Sequence, residues 1–245
     1  MSDRNGIDVS VVVPARNEAE NLPLLIDEIR TAFEGRNVEI IVVDDGSADA
    51  TADVIAGIAA QDPGVRMVRH ARSCGQSAAL WSGVRAARGA IVGSLDGDGQ
   101  NDPAFLPVLV ACLDDPDVGI AAGQRTRRRD TRFKQIQSRI ANAVRVAILR
   151  DGTRDTGCGL KAFRRAAFVE LPYFKGLHRY LPALFAGDGW KVAHADVVDR
   201  PRRHGESNYG ALDRLRAGLL DLFGVWWLIR RRASHPLKLS KDGTK

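Results

Sequence analysis

Cysteine is scarce in this sequence, and the three cysteines, Cys74, Cys112 and Cys158, lie far apart. They show neither the C-x-x-C spacing nor the accompanying histidines of a zinc site, and their odd number disfavours a disulfide framework. Residues 1–8 are polar and lack the apolar stretch of a secretory signal. We therefore expect reduced thiols in a protein that stays in the cytoplasm.

Common motifs of nucleotide hydrolysis, hydride transfer and acyl hydrolysis are also absent. The sequence has no G-x-x-x-x-G-K-[ST] phosphate loop, no G-x-G-x-x-G between the first predicted strand and helix, and no G-x-S-x-G elbow. The histidines are scattered, and a single histidine is more often structural or exposed than catalytic. They are His70, His178, His194, His204 and His235.

No apolar run is long enough to cross a membrane. The longest candidate, 219–229, is interrupted by Asp221, whereas a spanning helix needs about 20 apolar residues. Trp226 and Trp227 precede the arginines of 230–232, a pattern typical of an amphipathic helix in the membrane interface. The alternative, given at least equal weight, is a helix packed on the protein's own core. We divide the chain into a main domain, 1–211, and a C-terminal amphipathic helix with a basic tail, 212–245.

The charge balance favours an anionic partner. With 36 Lys and Arg against 30 Asp and Glu, the formal net charge is +6. Arginines concentrate in 125–139, 200–203 and 230–232, although any one cluster could be a solvated face. Aromatic residues do not alternate with them and no nucleic-acid-binding motif is present, so nucleic acid is disfavoured. Phosphorylated substrates and an anionic membrane surface, or a membrane-protein partner, remain.

The first half of the chain alternates short apolar runs with segments of helical period, which predicts an α/β fold with an open, mostly parallel sheet. Predicted strands are 9–13, 39–44, 65–70, 90–96, 119–122 and 191–198, and predicted helices are 19–33, 49–60, 76–87, 103–113, 135–149, 181–186 and 212–230. Ligands of such sheets bind beyond the carboxyl ends of the strands. The polar residues that follow each strand are therefore the candidate site.

Two acidic segments stand at such strand ends. Asp96 and Asp98, with Gln100, offer hard oxygen ligands for Mg²⁺ or Mn²⁺, and the glycines between them permit the required turn. Asp44 and Asp45 follow the second strand and suit hydrogen bonds from a ribose or a base. The alternatives are an Asp-Gly turn in the first segment and helix capping in the second.

These residues together resemble family 2 glycosyltransferases, in particular the polyprenyl-phosphate branch typified by dolichol-phosphate mannose synthase. The matching motifs, in order, are VVVPARNE at 11–18, IVVDDGS at 41–47, Asp96-x-Asp98-x-Gln100, DTGCG at 155–159 and GESNYG at 205–210. The resemblance implies a GT-A fold, a nucleoside-diphosphate sugar donor, a polyprenyl phosphate acceptor, Mg²⁺ or Mn²⁺, and inversion at the anomeric carbon. It also implies an enzyme of hexosyltransferase type at the inner face of the membrane.

The resemblance further assigns roles by position. Asp96, Asp98 and Gln100 would hold the metal on the donor diphosphate, and Arg125 and Arg139 would bind the lipid phosphate. The remaining donor contacts would be Pro14, Arg16, Glu18, Asp44, Asp45, Arg203 and Ser207. For Asp155 we expect the orientation of an arginine rather than proton abstraction. Two departures concern the base and the acceptor: Arg16 replaces a common aromatic residue, and Cys158-Gly159 replaces a serine-glycine-phenylalanine type sequence.

Two other functions remain open at this point. One is a related transferase with a glycan, protein or small soluble acceptor, and the other is a non-catalytic nucleotide-sugar-binding subunit. The retained Asp96, Asp98 and Gln100 disfavour the second. The sequence indicates neither the sugar nor the base.

Overall fold

A single seven-stranded sheet organises the chain. The computed structural model describes residues 6–126, 145, 148–149, 151–201 and 211–232, with only the backbone described for 211–219. Within them the strand order is β3-β2-β1-β4-β6-β5-β7. The strands are β1 (Val9–Ala15), β2 (Val38–Asp44), β3 (Val65–Arg69), β4 (Ile91–Ser94), β5 (Val118–Arg125), β6 (Lys161–Arg164) and β7 (Lys191–Val197). The predicted α/β architecture with a mostly parallel sheet is confirmed.

β1 is the strand about which the first half is built. It pairs in parallel with β2 on one side and with β4 on the other, and β2 continues in parallel to β3. Val11, Val12, Val42 and Val43 are all fully buried, as strands covered by helices on both faces require. Because β2 and β4 lie on opposite sides of β1, a crevice forms at their carboxyl ends.

The second half contains a strand that the sequence did not predict. β6 runs antiparallel to β4 and to β5, with Ser94 opposite Lys161. Its four residues are too short for a recognisable alternation, and they continue directly into a helix. Because β6 starts where β4 ends, the segment before it, 155–160, is carried to the same edge of the sheet as Asp96.

Helices cover both faces of the sheet. They are α1 (Leu22–Ala32), α2 (Thr51–Gln61), α3 (Gln76–Ala86), α4 (Leu106–Ala111), α5 (Arg165–Val169), α6 (Leu177–Gly187) and α7 (Ala211–Arg231). The helix predicted over 103–113 is divided into a 3₁₀ turn, α4 and a second 3₁₀ turn. Pro107 explains the first break, because it has no N–H to donate to the carbonyl of Pro103. The helix predicted over 135–149 lies almost wholly outside the described residues.

The hydrophobic core forms two clusters. One packs α1, α2 and α4 through residues such as Ile29, Ile55 and Leu109. The other packs α3, α5, α6 and α7, and its largest buried side chains are the rings of Phe163, Phe168 and Phe185. The layer that supports the crevice is therefore rich in rigid aromatic contacts.

α7 has one buried and one exposed apolar face. Leu222 and Val225 lie in the same cluster as the leucines of α6, whereas Leu220, Phe223 and Trp227 are 75%, 64% and 51% exposed. Among the described residues, no helix is both long enough and apolar enough to cross a membrane. The helix thus docks on the domain and still presents apolar side chains outward, and the division of the chain at residue 211 stays a prediction.

Gly83 tests how closely α3 packs on the sheet. A Cβ at this position would lie 2.3 Å from Cγ1 of Val12 and 3.0 Å from Cγ2 of Val43. Gly83→Ala is expected to lower the free energy of unfolding by about 2 kcal/mol because the overpacked helix must shift. The control is Gly57→Ala on α2, where nothing lies within 4 Å of the added methyl group. That variant should gain about 0.5–1 kcal/mol, and equal values in denaturant titrations would contradict this packing.

Candidate active site

A pocket of about 170 Å³ opens at the carboxyl ends of β1 and β4. Its walls come from the ends of these strands, the first turns of α3 and α6, and the segment that leads into β6. The polar and ionisable lining residues include Gln76, Asp96, Cys158, Lys161, His178 and Arg179.

The acidic turn after β4 is held in a defined shape. The N–H of Gly97 donates to the carbonyl of Pro14 at 3.2 Å, and the N–H of Asp96 donates to Oδ1 of Asn101 at 3.1 Å. Oδ1 of Asp98 accepts from the N–H of Gln100 at 3.1 Å, and Gly99 adopts a φ of +71° in between. These bonds fold the Asp96-x-Asp98-x-Gln100 motif into a tight turn at the pocket.

Asp96 lies in an electrostatic environment suited to a cation. Burial, and then the nearby charge of Asp98, raise the pKa of Asp96 to about 6, while Lys161 and Arg125 oppose the shift. Oδ1 of Asp96 accepts from Nε2 of Gln76 at 2.6 Å. A divalent ion would relieve the repulsion between the two carboxylates, and Asp96 and Asp98 are the oxygen ligands that Mg²⁺ and Mn²⁺ prefer.

Gly159 lets the chain approach this carboxylate. A Cβ on Gly159 would lie 2.5 Å from Oδ2 of Asp96 and 2.4 Å from Oδ1 of Asn101, so no larger residue fits without movement. Two residues on, Lys161 is buried and its Nζ donates to the carbonyl of Cys158. Burial lowers the pKa of Lys161. The antiparallel strand β6 thereby brings Lys161 to the pocket, where its charge acts on Asp96.

Asp45 organises the loop before α3. Its Oδ1 accepts from Nδ1 of His70 at 2.7 Å and from the N–H of Cys74 at 2.8 Å. Its Oδ2 accepts from Oγ of Ser73 and from the N–H of Gly75, both at 2.8 Å. These bonds lower the pKa of Asp45 against the opposing effect of burial, so the carboxylate is an ionised anchor for 70–75.

The other nucleoside candidates lie in two loops that are tied together. Asp44 is fully buried and accepts from the N–H of Ser47 at 2.9 Å. The N–H of Glu18 donates to Oγ1 of Thr51 at 2.9 Å, and the N–H of Asn17 donates to Oγ of Ser47 at 3.0 Å. Pro14 lines the pocket, whereas Arg16 is exposed at the rim of the first loop. The two loops that follow β1 and β2 form one surface beside the pocket.

Arg125 is held by two carboxylates. Its NH2 donates to Oδ1 of Asp155 at 2.9 Å and its Nε to Oδ2 of Asp155, while NH1 donates to Oδ2 of Asp199 at 3.0 Å. These partners raise the pKa of Arg125, although burial works in the opposite direction. Asp155 therefore orients Arg125 at the end of β5.

A chain of hydrogen bonds joins this arginine to the acidic turn. Nδ2 of Asn101 donates to Oδ1 of Asp199 at 3.2 Å, and Oδ1 of Asn101 accepts from the backbone of Asp96. Asn101 is buried at the junction. Arg125 is thus connected through Asp199 and Asn101 to the turn that carries Asp96.

Sequence reasoning missed four residues of this arrangement: Gln76, Asn101, Lys161 and Asp199. Asn101 directly follows Gln100, so that motif could have been extended by one residue, and Gln76 is the first residue of the predicted helix 76–87. Lys161 and Asp199 depend on pairings distant in sequence and carry no local signal. Arg139, Arg203 and Ser207 lie outside the described residues.

Residues 10–171, more than half of the chain, match the family described as glycosyl transferase family 2. The chain belongs to this family. It is 32% identical over 233 residues to dodecaprenyl-phosphate galacturonate synthase of Rhizobium johnstonii, covering 93% of this chain and 69% of that protein. It is 33% identical to undecaprenyl-phosphate 4-deoxy-4-formamido-L-arabinose transferase of Edwardsiella ictaluri, covering 86% and 66%. The chain spans about two thirds of the length of these relatives.

Solved structures support the same fold. Glucosyl-3-phosphoglycerate synthase of Mycobacterium tuberculosis, in complex with Mn²⁺, UDP-glucose and glycerol 3-phosphate, superposes with a TM-score of 0.69 at 24% identity, covering 92% of this chain and 80% of that one. Mannosyl-3-phosphoglycerate synthase of Rubrobacter xylanophilus gives 0.68 at 22% identity, with 90% and 73% covered. The glycosyltransferase therefore has the GT-A fold.

Asp155→Ala tests the support of Arg125. The pair is largely buried, with 17% and 9% of the two side chains exposed. Removing the carboxylate is expected to lower the free energy of unfolding by about 3 kcal/mol, because a buried guanidinium loses a partner. Asp196→Ala is the control, since its ion pair with Arg154 is 63% and 74% exposed. It should change stability by less than about 1 kcal/mol in the same denaturant titration, and similar losses in both variants would contradict the structural role of Asp155.

Proposed function

We propose that this glycosyltransferase transfers a sugar from a nucleoside-diphosphate sugar to a polyprenyl phosphate. The observation that carries the proposal is a chain of hydrogen bonds beside the pocket, which joins the acidic turn from Asp96 to Gln100 through Asn101 and Asp199 to Arg125. Such a site would put a turn that can hold a metal ion beside an arginine that can bind a second phosphate. The two polyprenyl-phosphate transferases among the relatives favour this acceptor.

The donor would lie along the carboxyl ends of β1, β2 and β4. Asp96, Asp98 and Gln100 would hold Mg²⁺ or Mn²⁺, which when bound supplies positive charge to the leaving diphosphate. Mn²⁺ is present in the M. tuberculosis structural relative. The nucleoside would contact Pro14, Arg16 and Glu18. Asp44 and Asp45 would shape the surface beneath the nucleoside, including the 73–75 backbone. Arg203 and Ser207 would close over the donor.

The chemistry then needs little proton transfer. A phosphate monoester is already anionic at neutral pH, so its oxygen attacks the anomeric carbon directly while the bond to the diphosphate breaks, and the configuration inverts. Arg125 and Arg139 would bind and position the acceptor phosphate, with Asp155 orienting Arg125. The reaction therefore requires no histidine or carboxylate as a general base. A hexose is the proposed class of transferred sugar.

The exposed face of α7 is proposed to contact the membrane that holds the acceptor. Phe223 and Trp227 project outward, and the ring of Trp226 lies 4.7 Å from the guanidinium of Arg230. Aromatic side chains beside arginines suit an interface with anionic headgroups. We therefore propose that the enzyme works at the cytosolic face of a membrane, or against a membrane-protein partner.

A donor panel tests the proposed reaction. We would incubate the protein with undecaprenyl phosphate, Mn²⁺ and each of UDP-glucose, UDP-galacturonate, UDP-N-acetylglucosamine, GDP-mannose and UDP-4-deoxy-4-formamido-L-arabinose, and measure the lipid-linked sugar. Asp98→Asn is expected to lower kcat/KM by roughly 100-fold, about 3 kcal/mol, because the metal loses a charged ligand. Asp196→Asn, an exposed carboxylate away from the pocket, should leave it unchanged. Wild-type turnover by Asp98→Asn in EDTA would sink the metal proposal.

Liposome sedimentation tests the membrane contact. Phe223→Glu with Trp227→Glu should lower partitioning into anionic vesicles at least about tenfold, because two apolar anchors are replaced by charges that anionic headgroups repel. Leu24→Glu with Val108→Glu is the matched control: these residues are 45% and 53% exposed and lie on α1 and α4. Equal partitioning of the two double variants would contradict the assignment of the α7 face.

A further inference from the structure

His178 is a pocket residue for which the proposed reaction has no role. It is the second residue of α6, and it lines the pocket together with Gln76, Asp96 and Lys161. Nδ1 of His178 lies 2.7 Å from Oγ of Ser77, the second residue of α3. The pair joins the two helix starts that form one wall of the pocket.

The contacts of Ser77 determine which ring nitrogen carries the proton. Oγ of Ser77 accepts from the N–H of Gly176 at 3.0 Å and from the N–H of His178 at 3.4 Å, so it caps the first turn of α6. With both acceptor positions engaged, the hydroxyl proton is left to donate to Nδ1. A neutral His178 then carries its proton on Nε2.

The ring is held in its neutral form. Burial, followed by the positive charges of Arg179 and Lys161, lowers the pKa of His178 to about 3. A neutral ring with Nδ1 occupied by Ser77 offers no lone pair to the pocket, which excludes a general base. It also adds no charge to stabilise a diphosphate. No described residue accepts a hydrogen bond from Nε2, so a fixed, uncharged N–H donor remains.

We infer that His178 donates a hydrogen bond from Nε2 to a hydroxyl group of the transferred sugar, and that Ser77 is the positioning residue that sets this tautomer. The inference rests on the proposed function. Gln76, adjacent to Ser77, contacts Asp96 at 2.6 Å, so the diphosphate and the adjoining sugar would meet this wall in succession. A neutral donor matches a hydroxyl group better than it matches a phosphate.

The difference between binding a nucleotide sugar and binding its nucleoside diphosphate tests the inference. Calorimetry with Mn²⁺ would use the donor selected by the panel above and the matching diphosphate without sugar. His178→Phe, which keeps a ring but loses the N–H, should weaken the nucleotide sugar by roughly three- to tenfold and leave the diphosphate within about twofold. His178→Gln, whose amide N–H reaches a similar position, should recover most of this loss.

The tautomer of His178 is a second measurement. If the histidine were purely structural, sugar affinity would not change together with its tautomer. In ¹⁵N spectra of the free protein labelled at histidine, His178 should be the Nε2–H form from pH 5 to 8. In Ser77→Ala both tautomers should appear, with part of the loss in sugar affinity. His194→Phe is the matched control, since Nε2 of His194 meets Oγ1 of Thr153 at 3.0 Å and the residue does not line the pocket. It should bind the donor as the wild type does.

The outcomes separate the inference from the proposed function. An Nδ1–H form of His178, an equal loss for sugar and diphosphate, or a His178→Gln as weak as His178→Phe would each overturn the inference. Failure of the wild type to bind any nucleotide sugar would instead contradict the proposed function. The thermal unfolding midpoint of each variant, within a few degrees of the wild type, shows that the pocket is folded.

Discussion

Ser94 of β4 lies opposite Lys161 of β6, and this antiparallel pairing is the constraint on which the site depends. β6 lies between β4 and β5 and runs against the direction of the other strands, so that the segment entering β6 arrives at the carboxyl end of β4. Gly159 and Lys161 thereby line the same pocket as Asp96, and Asp155 comes to the same end of the sheet, where it holds Arg125. A parallel strand in this position would have delivered its carboxyl end instead, and the arginine-orienting carboxylate would lie elsewhere.

The charged side chains around the acidic turn form ion pairs and hydrogen bonds with one another. Arg125 is neutralised by Asp155 and Asp199, while Asp96 and Asp98 are left near one another and the pKa of Asp96 rises. Buried charges are stable only with partners, and the guanidinium of Arg125 has two carboxylate partners. Asn101 links the two groups with neutral hydrogen bonds. The arginine and the acidic turn thus share one buried amide.

The family resemblance assigns Asp44 and Asp45 the same role, whereas their contacts in the structure differ. Asp44 ends β2 and Asp45 follows it, yet Asp44 is buried beneath the turn and Asp45 accepts four hydrogen bonds from 70–75. In the proposed complex, the two carboxylates would therefore act on the nucleoside through the loops that they hold. α7 has features of both an interfacial helix and a helix packed on the core. Leu222 and Val225 pack on the core, and the opposite face with Phe223 and Trp227 is exposed.

The sequence by itself determined the β-α-β-α series, the mostly parallel sheet and the acidic turn after β4, because these follow from local periodicity and from glycines within a few residues. It also carried the motifs of the family, whose order along the chain is independent of their positions in space. Tertiary structure decided β6, whose four residues have no periodicity of their own, and the contacts of Lys161, Asp199 and Ser77. Ser77 and His178 are 101 residues apart, and their hydrogen bond exists only because two helices that pack on the same face of the sheet begin at the same edge. Such pairings depend on the direction of every intervening strand, which local sequence patterns do not encode.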